Sequence, residues 1–287
     1  MRNKEHTPLS LPINRRKQYG FIYRTNFMAL LKCSLILIPF QLLLIAQLVL
    51  LLIYTGPIIS NNELSDNDKF VSLLNLIKII SLFLPISIPV LSIGMIGVSN
   101  VFKKIIYNDG FILSRDFKQG IKEGKQGILL SFILSILLTM LIVGVLSLYT
   151  YVSITVFFIF AFIMLLMILI SIVLLQYQHL FSLYYYQTWF GNIKNSFLFS
   201  FRSLLSSLGI TLAEVGVFLI LYVVDFVFFS RLSFMTLIGI VLQFFFFTIN
   251  GMLIFQLNAV HLFDELINAK DYKDMYRKGL YKDEESE

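Results

Sequence analysis

Glu214 stands where a charge is costly. It interrupts the apolar run from Leu204 to Phe229, and a carboxylate near the middle of a membrane-spanning helix costs about 2.5–3.5 kcal/mol to insert. The surrounding Leu, Ile, Phe and Val each favour insertion by about 0.3–0.6 kcal/mol, so the segment still enters a bilayer with Glu214 facing protein or water. Two chemistries suit it. One is coupling to a proton or cation; the other is a structural contact, either a hydrogen bond to Asn250 or an ion pair with Lys32. Asp225, further along the same run, and Lys78, in the outer half of another, either pair at matched depth or snorkel separately to the outer surface. Asn250, Gln256 and Asn258 either line a polar path or bond neighbouring helices. Glu214, Asp225, Lys78 and Asn250 therefore make up the candidate intramembrane polar site.

No enzyme signature accompanies them. The chain has no HExxH, GxxxxGK[ST], GxSxG or CxxC, and His6, His179 and His261 fall on separate segments without metal-ligand spacing. Cys33 is the single cysteine, which excludes an internal disulfide and a multi-cysteine zinc site; on an apolar helix it reads as a small packing residue. Gln176, Gln178 and His179, next to Tyr177, read as an interfacial anchor closing a helix. The expectation is a non-enzyme with no cofactor and no metal.

The elements that carry these residues follow from hydropathy. From Gln126 to Ile193 there is no Asp, Glu, Lys or Arg, and each crossing of a bilayer needs roughly 20 apolar residues. Of the 287 residues 57% are hydrophobic and 14% charged, against about 25% charged in globular domains; the mean hydropathy is +0.82. The fold class expected is all-α: a polytopic transmembrane helical bundle of about six spanning helices. The spans fall near residues 27–54, 70–101, 126–148, 152–177, 204–229 and 233–258, the last continuing to about 267, with a short polar turn at 147–153. Pro39, Pro85 and Pro89 predict kinks, and Pro85, Pro89, Gly94 and Gly97 together suit either a broken, site-lining helix or a kinked packing helix. Ser206, Gly209, Ala213 and Gly216 form a small-residue face expected to admit another backbone closely.

Nineteen Lys and Arg fall on one side of this map, in both tails and the 2–3 and 4–5 loops, against Lys69 and Arg231 on the other. That bias places both termini in the cytoplasm. The net charge of +6 thus serves topology, and nucleic acid is not an expected partner. The first apolar block is too long for a cleaved leader's core, so none is expected. Two inner segments, Asp116-Phe117-Lys118-Gln119-Gly120-Ile121-Lys122 and Phe190-Gly191-Asn192-Ile193-Lys194-Asn195-Ser196-Phe197, mix aromatic and basic residues ahead of a span. They read as interfacial elbow segments on the cytoplasmic side and hint at a repeat of two hairpins. Lys118, Lys122 and Lys125 form a candidate docking or lipid-contact loop. Residues 1–19 read as a disordered basic tail, 20–267 as the six-helix domain and 268–287 as a charged, solvated tail.

The run Pro89-Val90-Leu91-Ser92-Ile93-Gly94-Met95-Ile96-Gly97-Val98, then Phe102-Lys103-Lys104, the Phe117 to Lys122 segment and Asn192-Ile193-Lys194-Asn195-Ser196 together resemble the YesL-like family of bacterial integral membrane proteins, over roughly Gly20 to Leu266. The resemblance implies a bacterial plasma membrane and no assigned activity. Because members are often encoded beside carbohydrate-uptake systems, it also implies an accessory role in sugar import with the lipid bilayer and other membrane transport proteins as partners. A transporter subunit that itself forms the substrate path is the alternative.

Overall fold

The computed structural model describes residues 11–229 and 234–281, with side chains at all of these except 215, 217–219, 221–229 and 234–237. Among the described residues the regular structure is entirely helical: α1 (Arg15–Ser60), α2 (Asp66–Ser81), α3 (Leu84–Ile106), α4 (Leu113–Glu123), α5 (Lys125–Ser147), α6 (Ile154–Tyr184), α7 (Trp189–Arg202), α8 (Leu204–Phe229), α9 (Phe234–Leu242), α10 (Thr248–Phe263) and α11 (Ala269–Asp271). Among the described residues five stretches are long and apolar enough to cross a membrane, namely α1, α3, Lys125–Thr150, α6 and Ile238–Asp271; there are six if α7 and the start of α8, bent by 82°, are one broken span. The outer faces carry bare apolar side chains, among them Phe158, Ile159, Phe162 and Ile163 on α6, a surface that water would not support at this extent.

α3 is the hub. It packs on α1, α4, α5, α6 and α10, and its second half, from Ile96 to Ile106, is almost wholly buried. Glycine makes this possible. A Cβ at Gly97 would strike the Phe117 ring, and one at Gly94 would strike Phe40 and Leu37, so α1 and α4 both seat against backbone.

The second span is not one helix. It breaks at Leu82 and Phe83, and α3 restarts with Pro85 in its first turn, where a missing N–H costs nothing. Pro85 leaves the carbonyl four residues earlier, on Ser81, without its helical donor; the Thr139 hydroxyl on α5 shares its one proton between that carbonyl, at 3.2 Å, and the Ser135 carbonyl of its own helix, at 2.9 Å. In α1 the only non-helical backbone is at Asn26 (φ −126°, ψ 21°), not at Pro39. There the Thr25 hydroxyl donates to the Phe21 carbonyl and the Asn26 amide to Thr25, the side-chain competition that bends helices.

Two other boundaries move. α6 runs to Tyr184 rather than ending at Tyr177. The last span contains two π turns, Gln243–Phe247 and Asp264–Asn268, and stays helical to Asp271. The carbonyls loosened by the first π turn are taken by side chains: Thr248 on Gln243, Asn250 on Phe246, and Ser34 of α1 on Phe245.

The ends are ordered where the sequence suggested solvated tails. α1 begins at Arg15, and Arg15 and Gln18 are buried. The Arg15 guanidinium meets Asp264 at 2.7 Å and donates to the Lys278 carbonyl. Gln18 donates to the Ile106 and Gly279 carbonyls, the Tyr281 N–H donates to the Pro12 carbonyl, and Leu280 is buried. Gly279 has φ +79°, and a Cβ there would strike the Ile106 carbonyl. The two tails therefore clamp the end of α3 between them. The parts of the tail expectation at 1–10 and 282–287 lie outside the described residues.

Candidate functional site

Of the four intramembrane polar candidates, Glu214 and Asn250 line one groove. Glu214 is half-buried on α8, its carboxylate against the backbone of Gly251 on α10, where a Cβ would collide with it. It lines a groove of about 350 Å³ with Ser206, Gly209, Ala213, Asn250 and Gly251. Neither expected structural partner reaches it. The Asn250 amide donates to the Phe246 carbonyl at 2.7 Å and accepts from the Tyr19 hydroxyl at 3.2 Å, and among the described residues no ion pair joins Glu214 to Lys32, which is exposed on α1. Lys78 is half-buried on α2, and the Asp225 side chain lies outside the described residues, so their pairing does too.

The small-residue face of α8 is placed differently from the sequence reading. Ser206, Gly209 and Ala213 are exposed, and a Cβ at Gly209 or Gly216 would meet nothing within 4 Å. The reason is the polar stripe beside it. Ser203, Ser207 and Thr211 are buried, with Ser203 bonded to Tyr177 at 2.6 Å and to Ser207 at 3.0 Å, and this turns the small residues outward. The closely approached glycine of this helix pair is Gly251.

The basic candidates lie on α4 and at the first residue of α5. Phe117 fits over Gly97 and stacks near Phe40, with centroids 5.9 Å apart. The Asn100 amide donates to the Asp116 carbonyl at 2.8 Å, and the Asp116 carboxylate accepts the Ile112 N–H at 2.7 Å. With one face of α4 locked to α3, Arg115, Lys118, Lys122 and the adjoining Lys125 are exposed. Among the described residues Lys118, Lys122 and Lys125 have no ion-pair partner. α7 is the counterpart elbow with different chemistry. Asn192 and Ser196 are fully buried, as Asp116 and Gly120 are in α4, but its outer face exposes Phe190, Phe197, Leu198 and Phe201 beside Lys194 and Arg202. No large apolar side chain of α4 is exposed in this way.

The polar core at the clamped end is not legible in the sequence. Gln178 and His179 are 4% and 3% exposed and Tyr177 is fully enclosed, so this run is interior, not an interfacial anchor: α6 carries it onward between α3 and α10. Gln256 donates to the Ser99 carbonyl and to the Tyr184 hydroxyl, both at 2.9 Å, so it bonds neighbouring helices. Asp264 and Asn268 close the second π turn. Arg15 meets Asp264, and Tyr185 donates to Asn268 at 2.8 Å. Burial pushes the Tyr107 and Tyr185 hydroxyls far above the ordinary phenol range, so both remain neutral. The Asp264 and Asn268 spacing was the one available signal; nothing in the sequence ties Arg15 to either. Among the described residues no group of His, Cys, Asp and Glu is arranged to hold a metal ion.

Comparison with known protein families, curated proteins and solved structures finds no match to this chain.

Proposed function

We propose that this chain is a non-enzymatic, multi-pass protein of a bacterial plasma membrane, with both termini cytoplasmic, that serves as an accessory component beside a membrane transport system. The observation that carries this reading is α4: a short helix locked to the hub helix by Phe117 and Asn100, with four exposed basic side chains on it and at its end. A rigid, charged, non-greasy surface suits docking to an acidic face of a partner protein. The contrast with α7 supports the assignment, because exposed Phe and Leu beside basic residues suit insertion among lipid headgroups and α4 lacks them. The biased distribution of Lys and Arg supports the orientation. The link to carbohydrate uptake rests on the resemblance of the Pro89 to Val98 and elbow segments.

The test is crosslinked co-purification from native membranes with Lys118, Lys122 and Lys125 all changed to Glu. A partner captured by the wild type and lost with the variant, at equal membrane insertion, is the expected result. Unchanged capture sinks the docking role, and loss of binding only to anionic vesicles would reassign α4 to lipid.

The groove at Glu214 favours a second reading, in which the chain itself forms the substrate path. It predicts that Glu214→Gln abolishes uptake while leaving partner capture intact; an unaltered uptake rate removes it.

A further inference from the structure

Between α3, α6 and α10 lies a cavity of about 20 Å³ whose polar lining comes from Ser99, Gln176, His179 and Gln256. Three of those side chains each hold an atom that is buried without a hydrogen-bonding partner among the described residues: Gln176 Oε1, His179 Nε2 and Gln256 Oε1. His179 is 3% exposed and Gln256 1%. An unsatisfied buried polar group is destabilising, and three of the side chains on this one void each carry such an atom.

The Gln256 amide cannot relieve this by flipping. Its Nε2 donates to the Ser99 carbonyl, so a flip would set oxygen against oxygen, and Oε1 is an obligatory acceptor. A void must offer about 10–15 Å³ to hold a water, so this one admits one such molecule and nothing larger. The lining contains no carboxylate, and a cation there would be a buried charge without compensation; three neutral ligand atoms are also too few for a hard cation.

We propose that this cavity binds a single water molecule, which donates to Gln176 Oε1 and Gln256 Oε1 and accepts from the His179 Nε2–H, tying α6 to α10 at the level where Gln256 holds α3. A water has two hydrogens, so it meets both amide oxygens only if the third contact is an N–H. With Gln176 Oε1 turned to the water, His179 is therefore the neutral tautomer protonated at Nε2. The assignment is independent of the docking role of α4.

Two measurements on the full-length wild-type protein test it. Nitrogen NMR of histidine-labelled protein in lipid should show His179 protonated at Nε2 alone; the Nδ1–H tautomer, or the doubly protonated ring, overturns the proposal. A high-resolution density map should show one isolated peak about 2.7–3.2 Å from all three atoms, the same in sodium and in potassium buffers. No peak, or a peak with shorter contacts that depends on the cation supplied, overturns it as well.

Discussion

Arg15 and Asp264 are 249 positions apart and meet through two contacts, Nε at 3.2 Å and Nη2 at 2.7 Å, with side chains about 5% exposed. Such a pair gains little over a well-packed apolar pair of the same volume, but losing one member strands a buried charge, at a cost of about 3–5 kcal/mol. Asp264→Ala is therefore expected to lower the thermal unfolding midpoint sharply in detergent, and Arg15→Met with Asp264→Leu to recover much of that loss. An Asp264→Ala midpoint equal to wild type would show that the pair does not hold the clamp. The residues read from sequence as chemically interesting, Glu214 and Asn250, were legible because a polar residue in an apolar run is conspicuous. Arg15 was not, because a basic residue in a polar tail looks solvated whatever it touches.

At the scale of elements, proline position was legible and its consequence was not. Pro85 ends α2 and opens α3, whereas Pro39, Pro57 and Pro89 lie inside helices that stay continuous around them. The difference at Pro85 is the Thr139 hydroxyl on the freed Ser81 carbonyl, a contact between two helices that no local pattern announces. Thr139→Val should leave that carbonyl without its side-chain donor and cost about 1 kcal/mol, read as a small drop in the unfolding midpoint with unchanged helix content; a neutral result would mean the break needs no such support. α4 offers a sharper test. A side chain at Gly97 occupies the place of the Phe117 ring, so Gly97→Val should lift α4 from α3 and speed tryptic cleavage at Arg115 and Lys118 by about tenfold or more, since each 1.4 kcal/mol of lost docking opens the segment tenfold when reclosing is fast. Unchanged cleavage would place the anchoring of α4 elsewhere.

For the whole molecule, the two elbows give the chain a repeated order. A helix, α3 or α6, is followed by a short helix, α4 or α7, and then by a second long helix, α5 or α8. The repeat begins one helix earlier than the paired hairpins suggested by sequence, because α3 and α6 are the helices that their elbows pack on. The tail clamp belongs to this scale too. A chain ending at Asp271 loses the contacts of Lys278, Gly279 and Tyr281 with Arg15, Gln18 and Pro12, and is expected to unfold at lower temperature and to expose its first helix to protease; equal resistance would make the clamp ornamental. A reporter fused after the last residue should be active only on the cytoplasmic side, and activity outside would reverse the orientation. Hydropathy is a local sum, so the sequence alone determined that this chain is helical, that its helices can cross a membrane, and where the apolar middles of its long helices lie. The elbows were legible for the same reason, since aromatic and basic residues alternate within a few positions. Which polar groups meet depends on how each helix is rotated about its axis and bent at its breaks, and those angles are set by packing across distant segments. Only the tertiary structure could therefore turn the small face of α8 outward, bury His179, and bring Arg15 to Asp264.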